Sequence, residues 1–418
     1  MRCLIAVCAA VLTAACASTH AGFELQARVD VPSLPSVDVR LLLQPEHRRD
    51  ADRYLRAATA TLKIGGEWLG AFPAASLTLV DPAWRSEPAA PEGAILMDRT
   101  PWWSLETSMD AELATARAVS RRFWRGRIDA AELPPWFVEG LAEYLARRAV
   151  TLMFEGPNTS PGYAFLEQRD FGGFVPRFIR VRLLAETDGD PVRAYRARPE
   201  VGVSARPATV AEARSLAGKT LLALGTLERW LGRPVFDEVV VDFIRESRGR
   251  TPTIADFERA ASDVSGQNLS WFFGDAFRSS DRFDYGVGLL TSDRQQDGAF
   301  VTVVVAHRFG DARFTGASAA PIGPFESGRG IMLRVTFEDG QRRTDYWDGR
   351  GREKAFTYRS AARAVSASVD PDRTILLDLQ QTNNSRTLSP RAGAAAARWA
   401  ARWLSWLENA LLNYGALV

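Results

Sequence analysis

Histidine is nearly missing from this chain. Three residues of 418 carry an imidazole: His20, His47 and His307. A His-Glu-x-x-His metal helix, a Ser-His-Asp triad and a Cys-His dyad each need imidazoles in settings that the sequence barely offers. Cysteine is as scarce. Cys3, Cys8 and Cys16 all fall in the opening segment, so the remainder has neither an internal disulfide nor a cysteine-based metal site. Net charge is missing too: Lys+Arg of 52 against Asp+Glu of 50 gives +2. That provides no global field for nucleic acid or an anionic surface. No low-complexity tract interrupts a composition of 46% hydrophobic and 24% charged residues, and the length suits two modest domains better than one.

What is present begins with a leader-like segment. Residues 1–17 carry one positive charge, a short apolar run and a small-residue end. That is the pattern of a secretory signal, too short to span a bilayer. Leu12-Thr13-Ala14-Ala15-Cys16 resembles a bacterial lipobox, which implies lipidation of Cys16. Thr13 stands where that pattern has Leu, and plain cleavage after Ala15-Cys16-Ala17 is the alternative. Either way the expectation is an exported protein of the cell envelope, membrane-anchored or periplasmic.

Periodicity divides the rest. Val37 to Gln44 alternates like a strand, Glu46 to Leu69 has helical spacing, and Ala75–Val80 and Gly93–Met97 read as further strands. Met109 to Trp124 is helical again, and a helix from Trp136 to Val150 is opened by Pro134-Pro135. Residues 151–210 are punctuated by Gly and Pro, with only short helical pieces. Helices return at Val210–Leu231, Pro234–Arg245 and Ile254–Val264, the last opened by the cap signal Thr251-Pro252-Thr253. After Asp284 come short alternating runs: Val301–Val305, Ile331–Phe337, Arg343–Trp347, Ala355–Tyr358 and Ile375–Leu379. Glu338-Asp339-Gly340 joins two of them as a hairpin turn. The tail, Arg391 to Tyr414, is an amphipathic helix with Trp399, Trp403, Trp406, Leu407 and Leu411 on one side. It suits docking on its own domain, or else a membrane surface or partner helix. Arg398, Arg402 and Glu408 argue against a spanning role.

The order of these pieces resembles alanyl-aminopeptidase-type zinc peptidases, a gluzincin family, over roughly residues 37–387. Trp68-Leu-Gly-Ala-Phe-Pro followed by Leu77-Thr-Leu-Val-Asp is similar to the segment before that family's active site. Trp136-Phe-Val-Glu139-Gly-Leu-Ala-Glu-Tyr144 resembles the helix whose Glu is the third zinc ligand. Leu216-Ala-Gly-Lys-Thr-Leu-Leu-Ala-Leu through Leu231-Gly-Arg-Pro-Val-Phe resembles its Tyr-x-x-Gly helix, and Leu269-Ser-Trp-Phe-Phe the helix pair that follows. Asp370-Pro-Asp-Arg and Asn383-Asn-Ser-Arg-Thr resemble its small β-domain. The family's large N-terminal β-domain is absent. The resemblance implies an α+β fold. A signal peptide at 1–17 precedes a thermolysin-like, mainly helical peptidase domain at 22–283. A small antiparallel β-sandwich at 284–387 and a C-terminal amphipathic helix at 388–418 follow.

The family's chemistry is another matter. It needs two His at i and i+4, a neighbouring Glu as general base and a later Glu ligand. The corresponding stretch reads Ala116-Arg-Ala-Val-Ser-Arg-Arg-Phe-Trp. One frame puts Arg117 and Arg121 at the ligand positions with Ala118 at the base; the other puts Ala116 and Ser120 there with Arg117 at the base. Gly93-Ala-Ile-Leu-Met-Asp98 stands roughly at the amine-binding motif with its acid displaced, and Ser215 falls at the oxyanion-stabilising Tyr. The remnant pocket is therefore Arg117, Ala118, Arg121, Glu139, Glu143 and Ser215, with no catalytic residue, no metal ligand and no cofactor expected. A lone Glu139 in such a pocket needs a counter-charge, and Arg121 or Arg117 is placed to supply it. The expectation is a catalytically inactive metallopeptidase-like protein that binds a peptide or protein partner and no nucleic acid. It reaches the membrane, if at all, through the lipid anchor or the C-terminal helix. The alternative is a metal-dependent aminopeptidase, zinc-loaded, with relocated acidic ligands Glu139, Glu143 and Asp98. A metal-free hydrolase using Ser215 with Lys219 as base comes third.

Overall fold

The structure is a computed structural model. It describes residues 22–32, 34–82, 91–99, 109–154, 190–203, 206–316 and 330–389, with positions 393, 396, 400 and 403 of the C-terminal helix. The leader with Cys16 lies outside the described residues. So do 155–189 and the tail's Trp399, Trp406, Leu407 and Leu411. Contacts divide the chain into two compact units. One comprises Met1–Ile128, Ala142–Ala185 and Ala401–Val418, the other Asp129–Leu141 and Glu186–Ala400. No helix among the described residues is long and apolar enough to cross a membrane.

The first unit is built on a four-stranded sheet in the order β1 (Phe23–Val29), β2 (Val37–Leu43), β3 (Ser76–Val80), β4 (Ile95–Leu96). β1 runs antiparallel to β2, whereas β2, β3 and β4 are parallel. The connection from β2 to β3 is a 3-10 turn, Pro45–Asp50, leading into α1 (Ala51–Leu69). A helical crossover is the ordinary way to join parallel strands. α1 buries Tyr54, Ala57, Ala58, Thr61, Leu62 and Gly65 against its neighbours, the stripe that helical spacing requires. α2 (Asp110–Arg127) packs on α1. At Gly65 an added Cβ would sit 2.5 Å from the Phe123 ring, so that ring lies on the α1 backbone where only hydrogen fits. α3 (Pro135–Met153) contributes its residues from Ala142 onward to this unit, where Ala146 and Val150 join Met109, Ala116 and Phe154 in one apolar cluster.

The second unit holds α4 (Asp190–Ala197), α5 (Val210–Leu231), α6 (Arg233–Glu246), α7 (Ile254–Ser265) and α8 (Ser270–Phe273), which runs into a π turn, Gly274–Arg278. Thr209 and Thr253 close capping boxes with Glu212 and Asp256, so the helix starts expected at Val210 and Ile254 have their physical cause. Two antiparallel sheets follow. The first is β5 (Tyr285–Arg294), β6 (Phe300–Arg308) and β9 (Glu353–Ser360). The second is β11 (Ser385–Thr387), β10 (Ala364–Val369), β7 (Ile331–Phe337) and β8 (Arg342–Trp347). Gly340, at φ 83°, turns the β7–β8 hairpin as the sequence predicts.

Two expectations are corrected. Ile375–Leu379 is not a strand. Ile375, Leu376 and Leu377 are all buried without alternation, and the amides of Ile375 and Leu376 are satisfied outside any ladder. The Asp370 carboxylate accepts from Thr374 N and Ile375 N, both at 2.8 Å, and Thr226 Oγ1 accepts from Leu376 N at 3.0 Å. The division expected at 283/284 also differs from the observed one, because the helices after Glu186 share a unit with the sheets. Leu376 lies against Gly225 where a Cβ would come within 2.7 Å, and Trp230 meets Phe314 edge-on at 5.1 Å.

Within this unit burial pushes the Asp378 carboxyl up to about 7, against hydrogen bonds from Asn384 Nδ2 (2.9 Å) and Gln380 N (3.1 Å) and with added repulsion from Asp284. A carboxyl whose folded value is raised stabilises most below its unfolded value of about 3.9, and that contribution is lost as pH rises through the folded value. Urea unfolding at about pH 4.5 and about pH 8 should therefore show the wild type losing more stability between the two than Asp378→Asn. Equal losses would remove Asp378 from the account.

Candidate functional site

The residues singled out from the sequence on α2 meet two acids, one on α3 and one just past β4. Arg117 and Arg121 lie one helical turn apart and so share a face. Arg117 grips Glu143 with two parallel bonds, Nε to Oε2 at 2.5 Å and Nη2 to Oε1 at 2.8 Å. Arg147, one turn along α3, donates Nε to Glu143 Oε1 at 2.8 Å. Asp98 lies between the α2 arginines, 3.5 Å from Arg117 Nη1 and 3.1 Å from Arg121 Nη1. Glu143 is only 3% exposed. Burial alone would raise its carboxyl; the guanidinia of Arg117 and Arg147 overcome that and hold it at about 2. Beside the pair, Arg148 covers the Trp68 ring at 5.8 Å, and Trp68 stacks on Tyr144.

Each sequence-predicted residue has a definite place. Ala118 is buried in the α2 face. Glu139 is half-buried, one turn before Glu143 on α3, and Glu143 is the acid that takes the bidentate grip of Arg117. Ser215 belongs to α5 of the other unit, where its hydroxyl donates to Arg198 O at 3.0 Å. Lys219 is tied elsewhere, donating to Ser279 O (2.6 Å) and Asp275 O (3.3 Å). Burial pushes its ammonium down to about 8 against the pull of Asp281 and Asp275. Ser215 and Lys219 thus serve separate backbone ties. Sequence reasoning passed over Arg147 and Arg148, although the four-residue step from Glu143 to Arg147 is a readable pairing signal.

Among the described residues the imidazoles are engaged apart from these groups. His47 is fully buried in the 3-10 turn, bonded to Asp81, with the Gln44 amide at 3.0 Å and the Tyr54 ring stacked at 6.0 Å. His307 lies on β6 beside Glu353 (3.5 Å) and Phe309. Among the described residues no group of three or more His, Cys, Asp or Glu side chains is arranged to hold a metal. Zinc takes imidazole, thiolate or carboxylate donors. In one frame the positions for them hold Ala116 and Ser120, both buried, with Ser120 Oγ donating to Ala142 O at 2.7 Å. In the other they hold two guanidinia already on acids. These residues do not fit a zinc ion.

Comparison with solved structures bears on the fold. The chain is similar to Legionella pneumophila aminopeptidase A, solved in complex with aspartic acid, with a TM-score of 0.51 and 13% identity. The match covers 85% of this chain. The fold is aminopeptidase-like. The chain spans only 38% of that protein's length. A zinc metallopeptidase from Deinococcus radiodurans, bound to a Tyr-Ser-Ala substrate, is matched at 14% identity over 62% of this chain and 52% of that one, with a TM-score of 0.38. No family model and no curated protein's sequence matches the chain.

Breaking a buried pair from one side leaves uncompensated charge. Glu143→Leu, which removes the buried carboxylate shared by two guanidinia, should cost about 3 kcal/mol in urea unfolding near neutral pH, and Arg117→Leu/Glu143→Leu should recover part of it. Glu143 is held below its ordinary value, so its contribution is present above about pH 4.3 and lost as pH falls toward about 2. The stability of Glu143→Leu should accordingly be flatter over that acid range. A single-variant cost below about 0.5 kcal/mol would reduce the pair to a surface contact.

Proposed function

We propose that this protein is a metallopeptidase-like pseudoenzyme of the cell envelope, which keeps the aminopeptidase scaffold as a binding surface for a peptide or protein. The observation that carries this reading is the guanidinium of Arg117, held bidentate by Glu143 on the helix where the family's metal ligands and base belong. A fold and its catalytic site are separable, so a groove outlasts the chemistry it once served. Export and anchoring through Cys16 complete the proposal and rest on the leader alone.

The second reading, a metal-dependent aminopeptidase with acidic ligands, is disfavoured by the same bonds. Glu143 has both oxygens on guanidinia, and Asp98 meets Arg117 again together with Arg121, so a cation would have to displace positive charge already in place. All-oxygen sets also suit magnesium or calcium better than zinc.

Metal content and turnover of the purified mature protein decide between them. The expected result is substoichiometric zinc and no chelator-sensitive release of amino acids from short peptides. Stoichiometric zinc together with release abolished by chelator would establish the second reading. Cys16→Ala should shift the protein from the membrane fraction to the soluble fraction; unchanged retention would transfer anchoring to the Trp403-bearing tail.

A further inference from the structure

The outward face of the three-stranded sheet has a pattern that a lone sheet does not need. β6 alternates strictly: Thr302, Val304, Ala306 and Arg308 are buried, while Val301, Val303, Val305 and His307 point the other way and are partly exposed. The ladders extend these into rows. Val303 is flanked by Thr291 on β5 and Thr357 on β9, Val305 by Leu289 and Ala355, and Val301 by Asp293 and Arg359. Leu289 is 42% exposed and Phe309, just past β6, is 46% exposed. Three β-branched apolar side chains along the central strand of a water-facing surface are unusual, because an antiparallel sheet with one wet face normally alternates to polar residues there.

We propose that this face is a docking surface for a second copy of the same chain, stacked sheet on sheet with the two β6 strands aligned. The case for a second copy is the symmetry of the rows about β6. A two-fold axis along β6 exchanges the β5 side of one copy with the β9 side of the other. The Thr291–Val303–Thr357 row then meets itself, Leu289 meets the partner's Ala355, and Asp293 meets the partner's Arg359 twice over. Acid and base stand level on opposite edges, as an isologous interface demands. Arg359 already meets Asp297 of its own hairpin, yet its side chain is 60% exposed and can serve a second carboxylate. Facing sheets pack about 10 Å apart at a small angle, which such short side chains allow.

Three strands about 4.8 Å apart, at about 3.3 Å per residue over the seven residues from Val301 to His307, offer roughly 300–400 Å² per copy. Stable interfaces bury about 800 Å² per partner, so the association expected is weak, with a dissociation constant on the order of tens of micromolar or above.

Sedimentation velocity of the full chain across about 1 to about 300 µM tests this by mass action. The expected result is a concentration-dependent dimer. Val303→Glu should weaken it at least tenfold with circular dichroism and melting temperature unchanged. Should that variant not fold, Asp293→Arg, at an exposed position, tests the same interface and should also weaken it, and Asp293→Arg/Arg359→Asp should restore association. A monomer over the whole range overturns the proposal. So does a dimer indifferent to both single variants, or a double variant that regains nothing.

Discussion

A carboxylate that is 3% exposed cannot stay charged without a counter-charge, and Glu143 has two. Arg117 and Arg147 approach it from different helices, and Arg117 extends the contact to Asp98 beyond the short edge strand. Strand end, α2 and α3 are thus held at one point by charge. Such a tie differs in character from a metal site. A zinc ion fixes its ligands by tetrahedral bonds. A guanidinium fixes planar acceptors by parallel donors and spreads its charge over the fork. The first can leave an open coordination position for water; the second presents a salt-bridged plane.

Around that point the unit is otherwise conventional. A small, mostly parallel sheet is covered by α1 and α2, and the glycine at 65 lets α2 come close enough for Phe123 to lie on the α1 backbone. Two other buried polar groups of the unit are paired. Arg53 is shared between Glu112 and Asp50, and His47 is bonded to Asp81. Both imidazoles among the described residues, His47 and His307, are therefore used in local structure.

Much of this was legible in the residues. Helical spacing placed α1, α2, α3, α5, α6 and α7 within a few residues, because each has a continuous apolar stripe and the later ones carry threonine caps or proline starts. The short strands were harder. β1 was passed over although Phe23, Leu25, Ala27 and Val29 alternate with Glu24, Gln26 and Arg28, a readable strand signal, and Ile375–Leu379 looked like a strand because three apolar residues in a row mimic one. What sets their conformation is non-local: an aspartate five residues back and a threonine on α5 supply the acceptors. The charge reversal at the site was visible, whereas the acid that Arg117 would choose was not. Glu139 and Glu143 stand on adjacent turns of one helix, and only the packing of α2 on α3 decides which of them faces which arginine.

Thr226 has a broader bearing than its single bond suggests. Its hydroxyl donates to the carbonyl one turn back on α5 and, through its lone pair, accepts the amide of Leu376 from the far end of the sheet region. The strand-rich segment therefore borrows part of its backbone satisfaction from a helix that precedes it by 150 residues. It is not a cassette. Gene fusions or truncations that treat residues 284–387 as a portable module would cut through a shared interior, and inherited rearrangements of this architecture have to carry α5 along with the sheets.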